Sequence, residues 1–444
     1  MNDARLAYID QATFLSCRAS GRAQLAQYVW VYERPVDMAG LERFHRNFGY
    51  GLAGRLIEPS ALPFGRHHWV DASGPAVPLD VAEVRSPSEL GAWIGERSQR
   101  RVDPVQGPGW HLGILPMSDG TTAVSLVMSH CLLDGGGSLR TIADAVNGER
   151  RDFGYRPSRS RKRLAALASD ARQVARDLPE FGRTVLKAVK FVYRRRGEIS
   201  SSGAPRPTAA APCADDAVVL PAVTALVDVG DWDACAGDLG GTSYALLAGF
   251  AARLGERLGR VRPSDGAVTL MISVSDRAGD DDLRGNAMKI ATATVDPDPV
   301  TTDLTATRSA VRAALVAVRD VPDETHALLP LTPFVPKRAV RRTADVVFGH
   351  LPVTCSNLGE VSVDVARVDG TEADYTMFRP VDQAVTRSAV ESVGGQLVVA
   401  AGRVAGKMSI GAVGYEVGAA NTREWLADHV VRALADFELK GTMF

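Results

Sequence analysis

The strongest constraint on the fold is a run of apolar and β-branched residues at 122–128 that ends in Ser-His-Cys-Leu-Leu-Asp-Gly-Gly-Gly. This run predicts a strand, paired with residues 110–115 across a turn that contains Asp119-Gly120. The glycines at 135–137 predict a sharp turn before a helix over residues 138–146. The pattern therefore puts His130 at the end of a hairpin strand, aimed from a rigid edge into a cavity.

His130 is the candidate general base, because an imidazole with an ordinary pKa of about 6.5 takes up and returns a proton near neutral pH. A structural histidine is the alternative interpretation. The position at a strand end and the neighbouring glycines favour the base. So does the lack of competing motifs, since the sequence has no G-x-S-x-G elbow, P-loop, H-E-x-x-H or G-x-G-x-x-G.

Asp134 has two interpretations, a second member of a catalytic pair or a structural anchor bonded to an arginine. We favour the anchor, since a carboxylate paired with a guanidinium fixes geometry without touching substrate. A metal site is not expected, because His130 and Asp134 lack a third ligand at suitable spacing. Cys131 should face away from the side that His130 faces and is interpreted as a small buried hydrophobe. His67 and His68 are interpreted as surface or strand residues.

The composition is that of a globular protein of 444 residues, with room for two or three domains. A formal net charge of −1 gives the whole chain no signature of polyanion binding. No apolar run reaches the roughly 18 residues of a membrane span, and no signal-peptide core is visible, so we expect a cytoplasmic protein. The five separated cysteines are expected to be reduced and mostly buried: Cys17, Cys131, Cys213, Cys235 and Cys355.

Strand and helix patterns alternate within residues 1–150 and again within residues 213–444. This predicts an α/β (α+β) chain of two similarly built halves. Strands are predicted at 27–32, 68–70, 110–115, 122–128, 224–228, 268–274, 289–295, 345–353, 396–404 and 407–413. Helices are predicted at 38–48, 87–101, 138–146, 242–257, 304–318 and 422–437.

Residues 151–212 form a basic crossover between these halves. Residues 151–198 hold 14 Lys and Arg against 5 Asp and Glu, a local charge of +9. Their apolar spacing, interrupted by Pro179, predicts two amphipathic helices with a basic outer face and then a linker over 200–212. The basic face of residues 156–196 suits anionic lipid headgroups at a membrane, CoA phosphates or an acidic carrier protein. A solvated helix face fits equally well, and nucleic acid is not expected because aromatic residues are not interleaved.

Ser356 and Asn357, with Gly359, follow an apolar run and form a segment of short polar side chains. Such a segment can direct hydroxyl or amide donors at a ligand. A plain turn explains the pattern equally well.

These motifs together resemble the CoA-dependent acyltransferase superfamily, which includes condensation domains of nonribosomal peptide synthesis, polyketide-associated acyltransferases and bacterial wax ester synthase/diacylglycerol acyltransferases. The superfamily motif H-H-x-x-x-D-G corresponds to residues 129–135, with Ser129 in place of the first histidine. In the wax ester synthase branch, D-x-x-F resembles residues 10–14, and L-D…P-L-W resembles residues 102–110. P-V-S-x-R…G-N resembles residues 271–286, and the shared S-N-x-x-G resembles residues 355–359.

The resemblance implies two chloramphenicol-acetyltransferase-like domains in a V-shaped pseudo-dimer, with His130 midway along a tunnel between them. The expected segments are an N-terminal domain at 1–150, the crossover at 151–212 and a C-terminal domain at 213–444. The implied residues of the catalytic motif are His130 as general base, Asp134 in a structural or orienting role, and Gly135. The implied structural candidates are Arg277 and Asn286, with Arg277 as a candidate partner of Asp134. The implied candidates for substrate binding or an oxyanion site are Ser129, Ser356 and Asn357.

The expected reaction moves an acyl group from an acyl-CoA or acyl-carrier-protein thioester to a small-molecule alcohol or amine, in secondary metabolism or lipid synthesis. No bound cofactor is implied, and an amide-forming stand-alone condensation enzyme is one version of this hypothesis. The other class is a non-catalytic relative that binds an acyl chain or a carrier protein.

Overall fold

The computed structural model describes residues 4–75, 77–201, 216–279, 281–320, 326–334 and 351–444, with the side chains of its longest helix described to residue 187. The helices are α1 (Tyr8–Ser20), α2 (Met38–Phe48), α3 (Leu90–Ser98), α4 (Gly135–Val146), α5 (Arg163–Ser201), α6 (Val229–Asp238), α7 (Ser243–Arg257), α8 (Thr305–Asp320), α9 (Arg387–Glu391) and α10 (Arg423–Ala435). Shorter 3-10 turns include Pro87–Glu89, Pro299–Thr301 and His326–Phe334. No described helix has the length and apolar content needed to cross a bilayer.

The strands form two main sheets and two short pairs. They are β1 (Ala23–Tyr32), β2 (Arg55–Glu58), β3 (His68–Asp71), β4 (Asp80–Val81), β5 (Trp110–Pro116), β6 (Thr122–Ser129), β7 (Ala217–Val218), β8 (Ala222–Asp228), β9 (Val268–Ser275), β10 (Met288–Val295), β11 (Val353–Glu360), β12 (Tyr375–Gln383), β13 (Val385–Thr386), β14 (Gln396–Val404), β15 (Lys407–Tyr415) and β16 (Gly441–Met443). The first sheet has the order β12-β1-β6-β5-β4, and the second has the order β10-β9-β11-β14-β15-β8-β16.

The predicted hairpin forms the middle of the first sheet. Strands β5 and β6 are antiparallel with Trp110 opposite Met128, and β1 pairs with the other edge of β6. Every residue of β6 is buried, as the apolar run required. The core on this sheet includes Trp30, Phe44 and Leu126. The end of β6 is therefore held by strands on both sides and by the core, and His130 is the next residue.

The second sheet is covered by helices α6, α7, α8 and α10. Ten positions of α7 are buried. The core between these helices and the second sheet includes Trp232, Phe250 and Leu270. Strand β11 runs parallel to both β9 and β14, and the other principal pairs of this sheet are antiparallel. This mixed sheet with helices confirms the predicted α/β character of the second half of the chain.

Strand β12 joins the two sheets. It comes from the C-terminal part of the chain, yet it pairs with β1 at the edge of the first sheet and packs against β8, β14 and β15 of the second. Buried Arg379 in β12 reinforces this junction, since its Nε donates to Gln27 Oε1 at 2.8 Å and its Nη1 donates to the Ala222 carbonyl at 3.1 Å. The division at 1–150, 151–212 and 213–444 and the V-shaped pseudo-dimer stay predictions.

The sequence predicts a turn before a helix at the glycines 135–137, and this prediction is wrong. These glycines are the first turn of α4, and Asp134 is its N-cap, accepting from the Gly137 amide at 2.7 Å. One short segment also differs from its prediction: residues 356 and 357 lie inside strand β11 rather than in a turn after it. The predicted strand at 345–353 falls outside the described residues up to position 350.

The basic crossover contains one long helix rather than two. Helix α5 passes through Pro179, which lies on its exposed side. Water can hydrogen-bond a carbonyl that proline leaves free on that side, so the interruption need not end the helix. The predicted linker falls outside the described residues from position 202, as does Cys213.

The remaining cysteines and the paired histidines are now placed. Cys131 and Cys355 are buried, whereas Cys17 and Cys235 are partly exposed, and these four are free thiols. His68 is a strand residue as predicted, but the surface interpretation of His67 and His68 is wrong, since both are buried.

The buried carboxylate of Asp170 helps to hold helix α5 to the protein. Asp170 accepts from Ser60 Oγ at 2.9 Å, from the Ala61 amide at 2.8 Å and from His68 Nε2 at 3.2 Å, and it pairs with Arg161. Burial raises the pKa of Asp170, but the donors at Ala61, Arg161 and Ser60 outweigh it and hold that pKa below its usual value. The ionised carboxylate therefore stabilises the docked helix.

Asp170→Asn should lower the free energy of unfolding by about 2 kcal/mol at neutral pH, because charged hydrogen bonds are lost. Since the folded pKa is depressed, the wild-type advantage is complete above about pH 4 and shrinks as the pH falls further. Urea denaturation at several pH values measures this, with Asp428→Asn on the exposed face of α10 as the control. A difference that is the same at pH 7 and pH 3 would contradict the assignment.

Candidate active site

His130 follows the last residue of β6 and is fixed by its main chain. Its amide donates to the Gln24 carbonyl at 2.9 Å, and its own carbonyl accepts from Asn286 Nδ2 at 3.1 Å. The side chain is half-buried. A rigid strand end thus supports the imidazole, as the sequence predicted.

Asn286 determines which imidazole nitrogen carries the proton. Its Nδ2 faces the His130 carbonyl and also Asp10 Oδ1 at 3.3 Å, and acceptors at both positions require the amide nitrogen there. The amide oxygen must then be the atom 3.0 Å from His130 Nδ1. Because that oxygen only accepts, Nδ1 donates, and the neutral ring keeps its lone pair on Nε2.

Nε2 of His130 has no hydrogen-bond partner among the described residues. One ring nitrogen is therefore held by the protein, while the other makes no hydrogen bond to any described residue. This division of roles is the one that general base catalysis needs.

Asp134 is fully engaged by the protein. Oδ1 accepts from the Gly137 amide and from Arg277 Nη2 at 2.8 Å, and Oδ2 accepts from the Ala287 amide at 2.7 Å. Arg277 also donates from Nη1 to the carbonyls of Asp282 and Arg284. The carboxylate connects the start of α4 to the segment before β10, which is the geometry of an anchor.

Asp10 and Arg55 are two site residues whose roles the sequence did not indicate. Asp10 in α1 accepts from the Gly285 amide at 3.1 Å and the Asn286 amide at 2.6 Å. Arg55 donates to the carbonyls of Leu283 and Leu132 and lies over the Trp69 ring. The only sequence signal was Asp10 in the D-x-x-F resemblance, and Arg55 gave none.

Both charged groups are completely buried, and each has its charge opposed by the other. Burial raises the pKa of Asp10, while Arg55 and the two backbone donors act against that rise. Burial also lowers the pKa of Arg55. Burying these two charges costs desolvation, which their mutual attraction and their hydrogen bonds offset.

Two glycines permit the close approach of these segments. A Cβ at Gly285 would lie 2.9 Å from the Leu132 carbonyl oxygen and 3.0 Å from Asp10 Oδ1. A Cβ at Gly135 would lie 2.6 Å from the Leu358 side chain of β11. Helix α4 therefore starts in direct contact with the second sheet.

The other predicted residues lie around this cluster. Ser129 is buried, and its hydroxyl accepts from the Cys131 amide at 3.3 Å. Ser356 donates to Ser273 Oγ at 3.0 Å across neighbouring strands, and Asn357 Oδ1 accepts from the Gly359 amide at 2.9 Å. No hydrogen bond joins these three side chains to His130 in the described part of the chain.

Cys131 belongs to the first core and lies beside the Cys17 thiol of α1. The neighbouring Cys17 thiol and burial raise the pKa of Cys131 well above its usual value. A protonated, buried thiol is a poor nucleophile, which agrees with its interpretation as a small hydrophobe.

Comparison with solved structures identifies the fold. The trichothecene 15-O-acetyltransferase TRI3 from Fusarium sporotrichioides matches with TM-score 0.61 and 12% identity, over 98% of this chain and 94% of that one. The wax ester synthase/diacylglycerol acyltransferase from Marinobacter aquaeolei VT8 matches with TM-score 0.54 and 12% identity, over 98% of both chains. The first condensation domain of the CDA synthetase matches with TM-score 0.54 and 11% identity, over 98% of both chains.

The chain also matches the nonribosomal peptide synthetase FmoA3 and spans 45% of that longer chain. No protein-family profile matches this sequence. A comparison with curated proteins gives no match. The structural likenesses show that the chain has the fold of condensation domains and CoA-dependent acyltransferases.

Arg277→Met should lower the free energy of unfolding by about 3 kcal/mol, because it leaves the Asp134 carboxylate buried without its cation. Arg432→Met is the matched control, since its pair with Asp428 lies exposed on α10 and should contribute at most about 1 kcal/mol. Chemical denaturation of both variants measures the difference. Equal losses in the two variants would show that Asp134 does not depend on Arg277.

Proposed function

We propose that this chain, which has the condensation-domain and acyltransferase fold, is an acyltransferase with His130 as its general base. The donor is an acyl thioester of CoA or of a carrier protein, and the acceptor is a small molecule with a hydroxyl or amine. The observation that carries the proposal is the imidazole itself, held by Asn286 at Nδ1 and without a described partner at Nε2.

The proposed reaction balances without a covalent enzyme intermediate. The acceptor oxygen or nitrogen attacks the thioester carbonyl carbon while Nε2 of His130 takes its proton. The tetrahedral intermediate then expels the sulfur, and the imidazolium returns the proton to the leaving thiolate. The products are an ester or amide and a free thiol, and the base is regenerated.

The protein's contribution is a preorganised base. The imidazole need not find its tautomer or orientation during turnover, because Asn286 sets both and Asp10 holds Asn286. Holding both reactants beside that nitrogen would supply much of the remaining rate enhancement. We propose that they approach from opposite mouths of a tunnel between two acetyltransferase-like halves.

The acceptor and the oxyanion site belong to the same proposal. The two acyltransferases among the structural neighbours are named for an ester product and for transfer to oxygen, which favours a hydroxyl acceptor. Ser356 and Asn357 supply polar groups on a strand that contacts the start of α4 through Leu358. Donors from this strand would stabilise the negative charge of the tetrahedral intermediate.

His130→Ala should lower the turnover number by a factor of about 100 to 10,000, the contribution of a positioned general base. Thiol release from short-, medium- and long-chain acyl-CoAs measures it, with panels of alcohols and amines as acceptors. His429→Gln in α10 is the control histidine substitution. Unchanged turnover in His130→Ala would refute the base. Thioester binding without transfer to any acceptor by the wild-type protein would instead support a non-catalytic binding protein.

Asn286→Ala should lower kcat about tenfold or more while changing KM little, because the ring loses the acceptor that fixes its tautomer. A nitrogen-15 NMR spectrum of the imidazole gives an independent readout, since the wild-type ring should be protonated at Nδ1 when neutral. The variant should show a mixture of the two tautomers. A wild-type ring protonated at Nε2 would contradict the assigned role of Asn286.

A further inference from the structure

Helix α5 carries an apolar stripe that no described part of the protein covers. At steps of three or four residues, the exposed positions are occupied by small or apolar side chains. They are Leu164, Ala168, Ala171, Ala175, Leu178, Gly182 and Leu186. Leu164 is 83% exposed, Leu186 is 66% exposed and Leu178 is 55% exposed. Such a stripe on a solvent-facing helix is a candidate contact surface.

Two aromatic side chains extend the stripe. Phe64 stacks on Phe334 with ring centroids 5.2 Å apart, and Phe334 contacts Phe181 of α5 at 4.3 Å. Phe64 is 52% exposed and Phe334 is 39% exposed. Leu178 lies in the same depression as these rings. The apolar surface therefore widens from one helix to a patch that includes the turn at Phe334.

The charges of α5 are sorted by face. The acidic side chains described in α5 each contact another part of the protein: Asp170 is buried, Asp177 pairs with Arg5, and Glu180 accepts from Tyr8. Its exposed basic side chains pair with no carboxylate among the described residues. Apart from Arg163 at the first position of the helix, they are Arg172, Arg176, Arg183 and Lys187. At 3.6 residues per turn these four lie on one side of the helix, beside the apolar stripe.

We propose that this surface, the apolar stripe of α5 with Phe64 and Phe334 and the adjacent basic row, docks on an anionic lipid bilayer. The helix would lie in the plane of the interface, with leucine and phenylalanine side chains in the acyl region and arginines at the headgroups. A second copy of the chain fits less well, because pairing two such helices would bring two basic rows together. An acidic carrier protein would match the charge, but it would not require the exposed aromatic pair.

Vesicle flotation tests this proposal with the full chain. We expect binding to equimolar phosphatidylcholine and phosphatidylglycerol, little binding to phosphatidylcholine alone, and weakening by salt. The triple variant Arg172→Glu, Arg176→Glu, Arg183→Glu should reduce binding by about 100-fold or more, since each basic side chain near the surface contributes about fivefold. Leu164→Ser combined with Leu186→Ser should also reduce binding.

Helix α8 supplies matched controls. Arg308→Glu, Arg312→Glu, Arg319→Glu makes the same change in net charge at exposed positions of another helix, and Val316→Ser changes an exposed apolar side chain there. These variants should float like the wild type. Unchanged thermal midpoints across the set would support an effect on the surface rather than on folding.

Any of four results would overturn the proposal. One is equal loss of binding in the α5 and α8 charge variants, which would make net charge the cause. The second is a lack of preference for anionic over neutral vesicles, whether the protein binds both or neither. The third is a wild-type dimer that Leu164→Ser combined with Leu186→Ser converts to a monomer. The fourth is a complex with an acidic carrier protein through α5 in the absence of vesicle binding.

Discussion

The backbone amides of the three-residue segment Gly285–Ala287 donate hydrogen bonds to two buried carboxylates, and the arrangement of the site depends on these bonds. Asp10 receives the amides of Gly285 and Asn286, and Asp134 receives the amide of Ala287. The segment precedes β10 of the second sheet, whereas Asp134 follows the central hairpin of the first. Backbone amides from one half of the chain thus satisfy carboxylates from the other, in a setting where an unpaired charge would cost several kcal/mol.

The same contacts distinguish the Asp134 carboxylate from the His130 imidazole. Both carboxylate oxygens of Asp134 accept hydrogen bonds, and their donors are Arg277 and two backbone amides. His130 has one nitrogen fixed and the other without a described partner. Asn286 links the backbone of this segment to His130, because its amide donates to Asp10 and its side chain contacts the imidazole. A packing defect at Gly285–Ala287 would therefore change the orientation of the His130 imidazole.

Charge sorting in α5 follows from the same electrostatic rule. The buried carboxylate of Asp170 is stabilised by several donors and docks the helix, while arginines that face outward remain solvated. The docked face and the outward face of one helix thus carry opposite charges. A sequence count gives only the net charge of the whole segment that contains α5, +9 over residues 151–198, and does not say which of its charges are neutralised.

The sequence by itself determined the elements that local patterns encode. The hairpin of β5 and β6, the position of His130 after it and helices such as α2 and α7 follow from periodicity, turn residues and caps. It did not indicate β12, where Pro380 interrupts the pattern in a strand at the edge of the first sheet. It also misassigned the glycines at 135–137, which form the first turn of α4 and of which Gly135 lies against the distant Leu358. Only the tertiary structure decided the partners of Asp10, Arg55 and Asn286, because hydrogen bonds between residues more than a hundred positions apart, such as Arg55 to the Leu283 carbonyl, leave no local periodicity.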